Sequence, residues 1–332
     1  MNKNIFKNKS ILVTGGTGSF GKAFVSYLIK NKLYPKKLVI FSRDELKQFE
    51  MNQQFDDNKY SFMRYFIGDV RDKDRLKLAL NGIDIVVHAA ALKQVPAAEY
   101  NPIEFIKTNI IGAQNIVEVA LELSVTNVIA LSTDKASSPI NLYGATKLCS
   151  DKLFISANNI KGNKNIKFSV VRYGNVMGSR GSVLKTFLDQ KKNGIIKITD
   201  KRMTRFNIML EESVQMVLWS LNNNFGGEIF VPKIPSFYIL DLAKAIADNN
   251  CDIKEVGIRP GEKIHEELIS IYESEYAFDL GKYYSIIPLH LFKKYFNINA
   301  KKVPNNFIYN SSNNKNFLNI SDLKKIISKI YN

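Results

Sequence analysis

Cysteine, histidine and tryptophan are scarce in this 332-residue chain, with two, three and one copies, and acidic residues number 31 against 47 basic ones. Cys149 and Cys251 lie far apart and match no metal-ligand spacing, which excludes a disulfide framework as the organising device. A reduced, intracellular protein with no metal site is expected. No run of 18 apolar residues occurs, and the opening MNKNIFKNKS has no apolar stretch of the secretory kind, so neither a membrane span nor a signal is expected. The expected setting is the cytoplasm. The acid deficit leaves a net charge of +16, which in clustered form would point to a phosphate backbone. Here Lys and Arg are spread along the chain, often beside Asn or Asp, without a basic run interleaved with aromatics. Nucleic acid is therefore not an expected partner; a positive field of this kind attracts small polyanions.

What is present is a core-forming chain, 45% apolar, with an alternating pattern. Ser10 to Thr14, Leu38 to Phe41, Arg64 to Ile67, Ile83 to His88, Val128 to Ser132 and Phe168 to Arg172 read as strands separated by helical stretches, the signature of a parallel sheet with crossovers. One helix is predicted from Pro102 to Leu123, with Ile106, Ile110, Val117 and Leu121 at helical spacing. The predicted fold is α/β, a doubly wound parallel Rossmann sheet with a smaller C-terminal substrate-binding lobe. Residues 1–173 form the nucleotide-binding domain, with return segments near 207–232; residues 174–206 and 233–332 form the second lobe and tail. The polar stretch 305–317 is predicted to be loose, followed by an amphipathic helix near Leu323 to Ile330.

The first strand runs into VTGGTGSFGKAF. Gly16-x-Gly18-x-x-Gly21 fits the dinucleotide fingerprint, and Gly15-x-x-Gly18-x-x-Gly21 fits it in a shifted reading. Coming after a strand and opening a helix, the loop places backbone N–H groups and a helix N-terminus against a pyrophosphate. Gly15, Thr17, Gly18, Ser19, Phe20 and Gly21 are the candidates there. At the second strand's end stand Ser42, Arg43 and Lys47, which favour NADP through its 2′-phosphate, although Asp44 beside them leaves a ribose contact open. Asp69 and Val70 are expected beside the adenine, the small residues Ala89, Ala90 and Ala91 let the backbone approach the cofactor, and Leu131 and Ser132 end the fifth strand. His88, inside an apolar run, is expected in the core. His265 is placed in a helical stretch with no catalytic role.

LSTDKASSPINLYGATK, from Leu131 to Lys147, carries the chemistry. Tyr143-x-x-x-Lys147 puts a phenol and an amine one helical turn apart. With the glycine loop before it, the chain resembles the extended short-chain dehydrogenase/reductases. Through TGGTGSFGK, SRDELKQFE, HAAALKQVPAAEYNP, LSTDKA, NLYGATKLCSDKLF, ITDKRMTRF and GIRPGEK it resembles more closely the C5-inverting UDP-N-acetylglucosamine 4,6-dehydratases that begin pseudaminic acid synthesis. The likeness covers nearly all of residues 8 to 270. Gln94 departs from the family's usual His, and Asn207 from a common aromatic.

The resemblance implies a sequence of roles. Tyr143, an ordinary phenol with a pKa of about 10, is made a better base by the Lys147 cation and takes the C4 hydroxyl proton while C4 hydride passes to NADP⁺. Retaining relatives place Asp and Glu after strand five; here Thr133 precedes Asp134 and Lys135. Asp134 is expected to act as acid at the C6 hydroxyl. Lys135 is expected to act as base or proton donor at C5, with its pKa depressed by burial and by Lys147, and with Tyr143 sharing that work. Lys93, Asn175, Val176, Arg180, Arg205, Arg259 and Glu262 are implied substrate contacts, the arginines suiting a diphosphate. The family also implies a homo-oligomer, a hexamer by resemblance.

Overall fold

The structure, a computed structural model, describes residues 5–179, 181–248 and 250–331. Arg180 lies outside the described residues. The first half alternates as β1 (Ser10–Thr14), α1 (Ser19–Lys30), β2 (Lys37–Ser42), α2 (Glu45–Gln54), β3 (Met63–Ile67), α3 (Lys73–Leu80), β4 (Ile85–His88), α4 (Val95–Tyr100), α5 (Pro102–Phe105), α6 (Gly112–Glu122), β5 (Asn127–Thr133), α7 (Leu142–Ile160) and β6 (Lys167–Tyr173). There follow β7 (Asn175–Val176), α8 (Val183–Lys191), β8 (Ile195–Ile198), β9 (Thr204–Ile208), α9 (Leu210–Asn223), β10 (Ile229–Pro232), β11 (Ser236–Tyr238), α10 (Ile239–Ile246) and β12 (Asp252–Glu255). The chain ends in β13 (Glu267–Ile269), α11 (Ile271–Ser274), β14 (Ala277–Asp279), β15 (Tyr283–Ile286), α12 (Phe292–Asn297), β16 (Lys301–Lys302), β17 (Tyr309–Asn310) and α13 (Ile320–Tyr331).

The main sheet runs β16-β14-β15-β10-β6-β5-β4-β1-β2-β3, parallel from β10 to β3. All five residues of β1 are buried, as continuous apolar strands of a doubly covered parallel sheet must be. The sheet reverses order between β1 and β4, which opens a crevice beyond their carboxyl ends. Asp44 caps α2 by accepting from Lys47 N, Asp72 caps α3 by accepting from Arg75 N, and Asn141 caps α7 by accepting from Gly144 N. Helix α1 begins at Gly18 with no side-chain cap.

Four local expectations differ from the structure. The helix expected over Pro102 to Leu123 is interrupted by a wide π turn at Ile106–Ile111, which rotates the apolar stripe and buries Thr108 and Asn109 while leaving Ile106 and Ile110 half-buried. Residues 233–332 do not all belong to the second lobe, because β15 pairs antiparallel with β10 and carries β14 and β16 onto the main sheet. The stretch 305–317 is held rather than loose: β17 pairs with β13, and buried Tyr309 donates to Ile234 O. His265 lies in a bend, not a helix, with Nδ1 against Thr204 Oγ1 at 2.8 Å.

The second lobe has its own small core, in which Leu184, Phe187, Ile196, Phe237 and Leu242 pack together with Leu323 of α13. Its segment from Lys263 to Glu273 reaches across to the turn after β5: Lys263 Nζ donates to Ser137 O at 2.7 Å, and Ser138 Oγ donates to Glu267 Oε1 at 2.7 Å. The turn after β5 is thereby clamped between the lobes.

Candidate active site

One cleft of about 630 Å³ runs along the strand ends, lined by Gly15 and Thr17 to Phe20 at one end and by Asp134, Lys135 and Asn175 at the other. At the first end Gly15 has φ +61, a left-handed conformation that favours glycine, and a Cβ there would stand 2.9 Å from the Ala90 backbone. A Cβ on Gly16 would likewise stand 2.9 Å from Val13 O, so both readings of the glycine fingerprint have a steric basis. Gly21 lies outside the lining and serves packing, since a Cβ on it would meet Gly16 O at 1.9 Å. The uncapped N-terminus of α1, with no acidic residue in its first turn, faces the cleft through Gly18 and Ser19. These features fit the pyrophosphate of a nicotinamide dinucleotide.

Further along this end Ser42, Arg43, Lys47, Asp69 and Val70 line the cleft, as do Ala89, Ala90 and Ala91. Arg43 is half-exposed, 3.6 Å from Asp69 Oδ2, and the Lys47 ammonium pairs with Asp44. Arg71 and Arg43 hold the Asp69 carboxyl below its usual value against the opposing effect of burial. Asp44 accepts from Lys47 N at 3.0 Å, so its carboxylate serves the start of α2. His88 is buried, its Nδ1 2.8 Å from Thr14 Oγ1, and burial with nearby Lys147 pushes its pKa down to about 3.

At the reacting end Thr133, Asp134, Lys135, Tyr143 and Lys147 converge, together with Leu131 and Ser132. Asn141 starts α7 so that Tyr143 and Lys147, one turn apart, face the same cleft. Lys135 Nζ donates to Asp134 Oδ1 at 3.0 Å, and Thr133 Oγ1 donates to the same oxygen at 3.0 Å. A second carboxylate completes the cluster: Glu266 Oε1 lies 3.0 Å from Lys135 Nζ.

This changes the expectation for Lys135. Burial draws its pKa down, but Asp134 and Glu266 overcome that and hold it above the ordinary lysine value, so the side chain is an ammonium. Asp134 is raised as well, from a different cause. Burial raises it, Lys135 opposes, and Glu266 adds to the rise, which favours the protonated acid. Tyr143 is pushed up to about 12 by burial; the cation that most offsets this is Lys135, rather than Lys147 as expected, and a hydrogen bond with Thr133 helps. Lys147 is itself buried and lowered by that burial, with Asp151 acting in the opposite sense.

Of the implied substrate contacts, Lys93, Asn175 and Val176 line the reacting end. Arg205 does not line the cleft; its guanidinium donates to Thr204 O, Ile264 O and Lys263 O and lies 3.9 Å from Glu266. Arg259 is exposed and 3.8 Å from Glu262, and both stand outside the lining. Three features escaped the sequence reading. Glu266 carries no spacing signal relative to Lys135. Asn109, turned inward by the π segment, accepts from Leu92 N and donates to Leu92 O, fixing the chain just before Lys93. Arg172 is fully buried between Asp151, at 3.4 Å, and Glu273, at 2.8 Å, behind the turn; its place at the end of an apolar strand was the available signal.

The model of the polysaccharide biosynthesis protein family matches residues 11–288. The chain belongs to that family. A relative from Campylobacter jejuni subsp. jejuni serotype O:23/36 (strain 81-176), named UDP-N-acetylglucosamine 4,6-dehydratase (inverting), is 53% identical over 334 residues, with 98% of each chain covered. A relative from Rickettsia conorii (strain ATCC VR-613 / Malish 7), named UDP-glucose 4-epimerase, is 42% identical, with 97% of this chain and 96% of that one covered. Among solved structures, the X-ray structure of Pen from Bacillus thuringiensis matches with a TM-score of 0.89 at 38% identity, covering 98% of each chain. Among the described residues, no helix is long and apolar enough to cross a membrane.

Proposed function

We propose that this member of the family is an inverting UDP-N-acetylglucosamine 4,6-dehydratase, a lyase that forms UDP-2-acetamido-2,6-dideoxy-β-L-arabino-hexos-4-ulose. The observation that carries this is the pairing of buried Asp134 with half-buried Lys135, facing one cleft with Tyr143 and Lys147. A 4-epimerase needs only oxidation and reduction at C4, for which Tyr143 and Lys147 suffice. Elimination across C5 and C6 additionally needs an acid for the leaving hydroxyl and proton transfer at C5, and Asp134 and Lys135 supply both.

A nicotinamide dinucleotide, when bound, would supply a hydride acceptor and donor that is regenerated within each turnover. Lys147 would hold its ribose hydroxyls, and Arg43 with Lys47 would favour the 2′-phosphate of NADP. Tyr143 receives the C4 hydroxyl proton, with Lys135 and Thr133 offsetting the rise that burial imposes on the phenol. Asp134 gives its proton to the C6 hydroxyl as the C5–H and C6–O bonds break, C5=C6 forms and water leaves. Tyr143 passes the C4 proton on to solvent, and its phenolate then takes the C5 proton; the Lys135 ammonium returns a proton to C5 from the opposite face, inverting the centre, and exchange with solvent resets Tyr143, Asp134 and Lys135. Lys93, Asn175 and Val176 are assigned to the sugar, and Arg259 on its exposed loop to the diphosphate.

The product chemistry fits the opening step of pseudaminic acid synthesis in the cytoplasm. Exposed Tyr100 at the end of α4, Ile103 in α5 and Ile111 at the end of the π turn support assembly as a homo-oligomer, which light scattering tests. The activity itself is tested by incubating the protein with UDP-N-acetylglucosamine and NADP⁺. Mass spectrometry is expected to find loss of one water; a 4-epimer of unchanged mass would favour the epimerase instead.

A further inference from the structure

Lys135 is flanked by two carboxylates, and only one of them belongs to the turn after β5. Its Nζ lies 3.0 Å from Asp134 Oδ1 and 3.0 Å from Glu266 Oε1, and both acids are buried, at 0% and 2% exposure. Each also has a second oxygen, Asp134 Oδ2 and Glu266 Oε2, that is buried without a hydrogen-bond partner among the described residues. The backbone fixes Glu266 in place: its N–H donates to Ser311 Oγ, and Ser311 N donates to its carbonyl. Two buried anions around one ammonium, each with an unpartnered oxygen, form a costly arrangement that well-packed apolar residues would better for stability alone. Two like charges this close do not both ionise freely, so a proton is retained on one of them.

We propose that Glu266 is a positioning residue for the elimination step: it fixes the Lys135 ammonium from the second lobe and, as the second buried carboxylate, keeps the transferable proton on Asp134. Its surroundings decide which acid keeps the proton. Glu266 faces Lys135, Arg205 and Lys263, three cations that favour its ionised form despite burial. Asp134 faces Lys135, Lys263, Glu266 and the Tyr143 phenol, with Thr133 donating to it; Lys93 stands on the far side of Lys135. The better-compensated carboxylate is Glu266, and the proton falls to the acid at the cleft. The clamp also makes the catalytic cluster depend on the two lobes being docked.

This rests on the dehydratase reading, and the test separates the two. Glu266→Gln keeps size and removes the charge; Glu266→Asp keeps the charge. Dehydration of UDP-N-acetylglucosamine is followed from about pH 6 to pH 10, and reduction of the nicotinamide in single turnovers is followed alongside it. Without the neighbouring anion Asp134 ionises at lower pH, so the alkaline limb of dehydration is expected to move down by about one pH unit in Glu266→Gln, a tenfold change in the protonated fraction. The loss is then about tenfold or more at pH 8 and only a few-fold at pH 6, nicotinamide reduction persists, and Glu266→Asp retains the wild-type limb. A Glu266→Gln enzyme with the wild-type profile, or one slowed by the same factor at every pH, overturns the assignment. Wild-type protein that reduces cofactor but never loses water overturns the dehydratase reading and this assignment with it.

Discussion

The cofactor end of the cleft is built from residues close together in the chain, whereas the reacting end is built from charges that only folding brings together. At the first end, Gly15, Thr17, Gly18 and Ser19 follow within a few residues of β1 and line the cleft. At the second, Lys135 meets Glu266, and Arg172 meets Asp151 and Glu273, across the lobe boundary and behind it. A phosphate-binding end needs close approach and a helix terminus, which local sequence can specify. A proton-transferring end needs pKa values set apart, and buried charges from different elements do that.

The two ends are therefore expected to fail separately. The largest effect should come from Lys135→Ala, which removes the ammonium and leaves Asp134 and Glu266 facing each other. Dehydration should fall by roughly 10²- to 10⁴-fold while NADP⁺ affinity, measured by calorimetry, stays within about twofold, because the glycine loop is untouched. Equal loss of cofactor binding would erase the distinction between the ends.

Arg172→Met should come next, read as stability. It leaves Asp151 and Glu273 without their buried cation, and denaturant unfolding should show a loss of about 3–5 kcal/mol. A change under 1 kcal/mol would mean that the charges behind the turn are not mutually dependent.

Gly15→Ala is the converse of the lysine change. The added Cβ at φ +61 would press on the Ala90 backbone, so the loop must shift, and NADP⁺ affinity should weaken by about tenfold or more. The Asp134–Lys135–Glu266 cluster should keep its pH profile at saturating cofactor. The smallest effect is expected from Arg43→Ala, which should reduce the preference for NADP over NAD by about five- to tenfold, since the guanidinium is half-exposed and its contact with a 2′-phosphate is screened. Unchanged preference would place the 2′-phosphate elsewhere.

This division also sets what could be read from the sequence. The parallel sheet, the glycine loop, Thr133 to Lys135 and the Tyr143–Lys147 spacing were legible because each depends on neighbours within a few residues. The protonation of Lys135 was not, because one of the two carboxylates that oppose its burial, Glu266, arrives from the segment just before β13. Arg205 looked like a diphosphate ligand by residue type, but its donors are spent on the carbonyls of residues 263 and 264, which carry Glu266 into place. The stretch 305–317 looked loose from its polar composition, yet Tyr309 and Ser311 are buried and hydrogen-bonded to the second lobe. Composition reports average polarity and does not reveal which polar groups find partners.

The central claim is that Asp134 and Lys135 carry out elimination with proton return to C5. It is tested most directly by running the wild-type reaction in D₂O with unlabelled UDP-N-acetylglucosamine and reading the product by NMR. The account predicts solvent deuterium at C5 in the L-arabino configuration and a C6 methyl group whose new hydrogen is protium from substrate C4. Product with the D configuration retained at C5, or with no deuterium there, would contradict it.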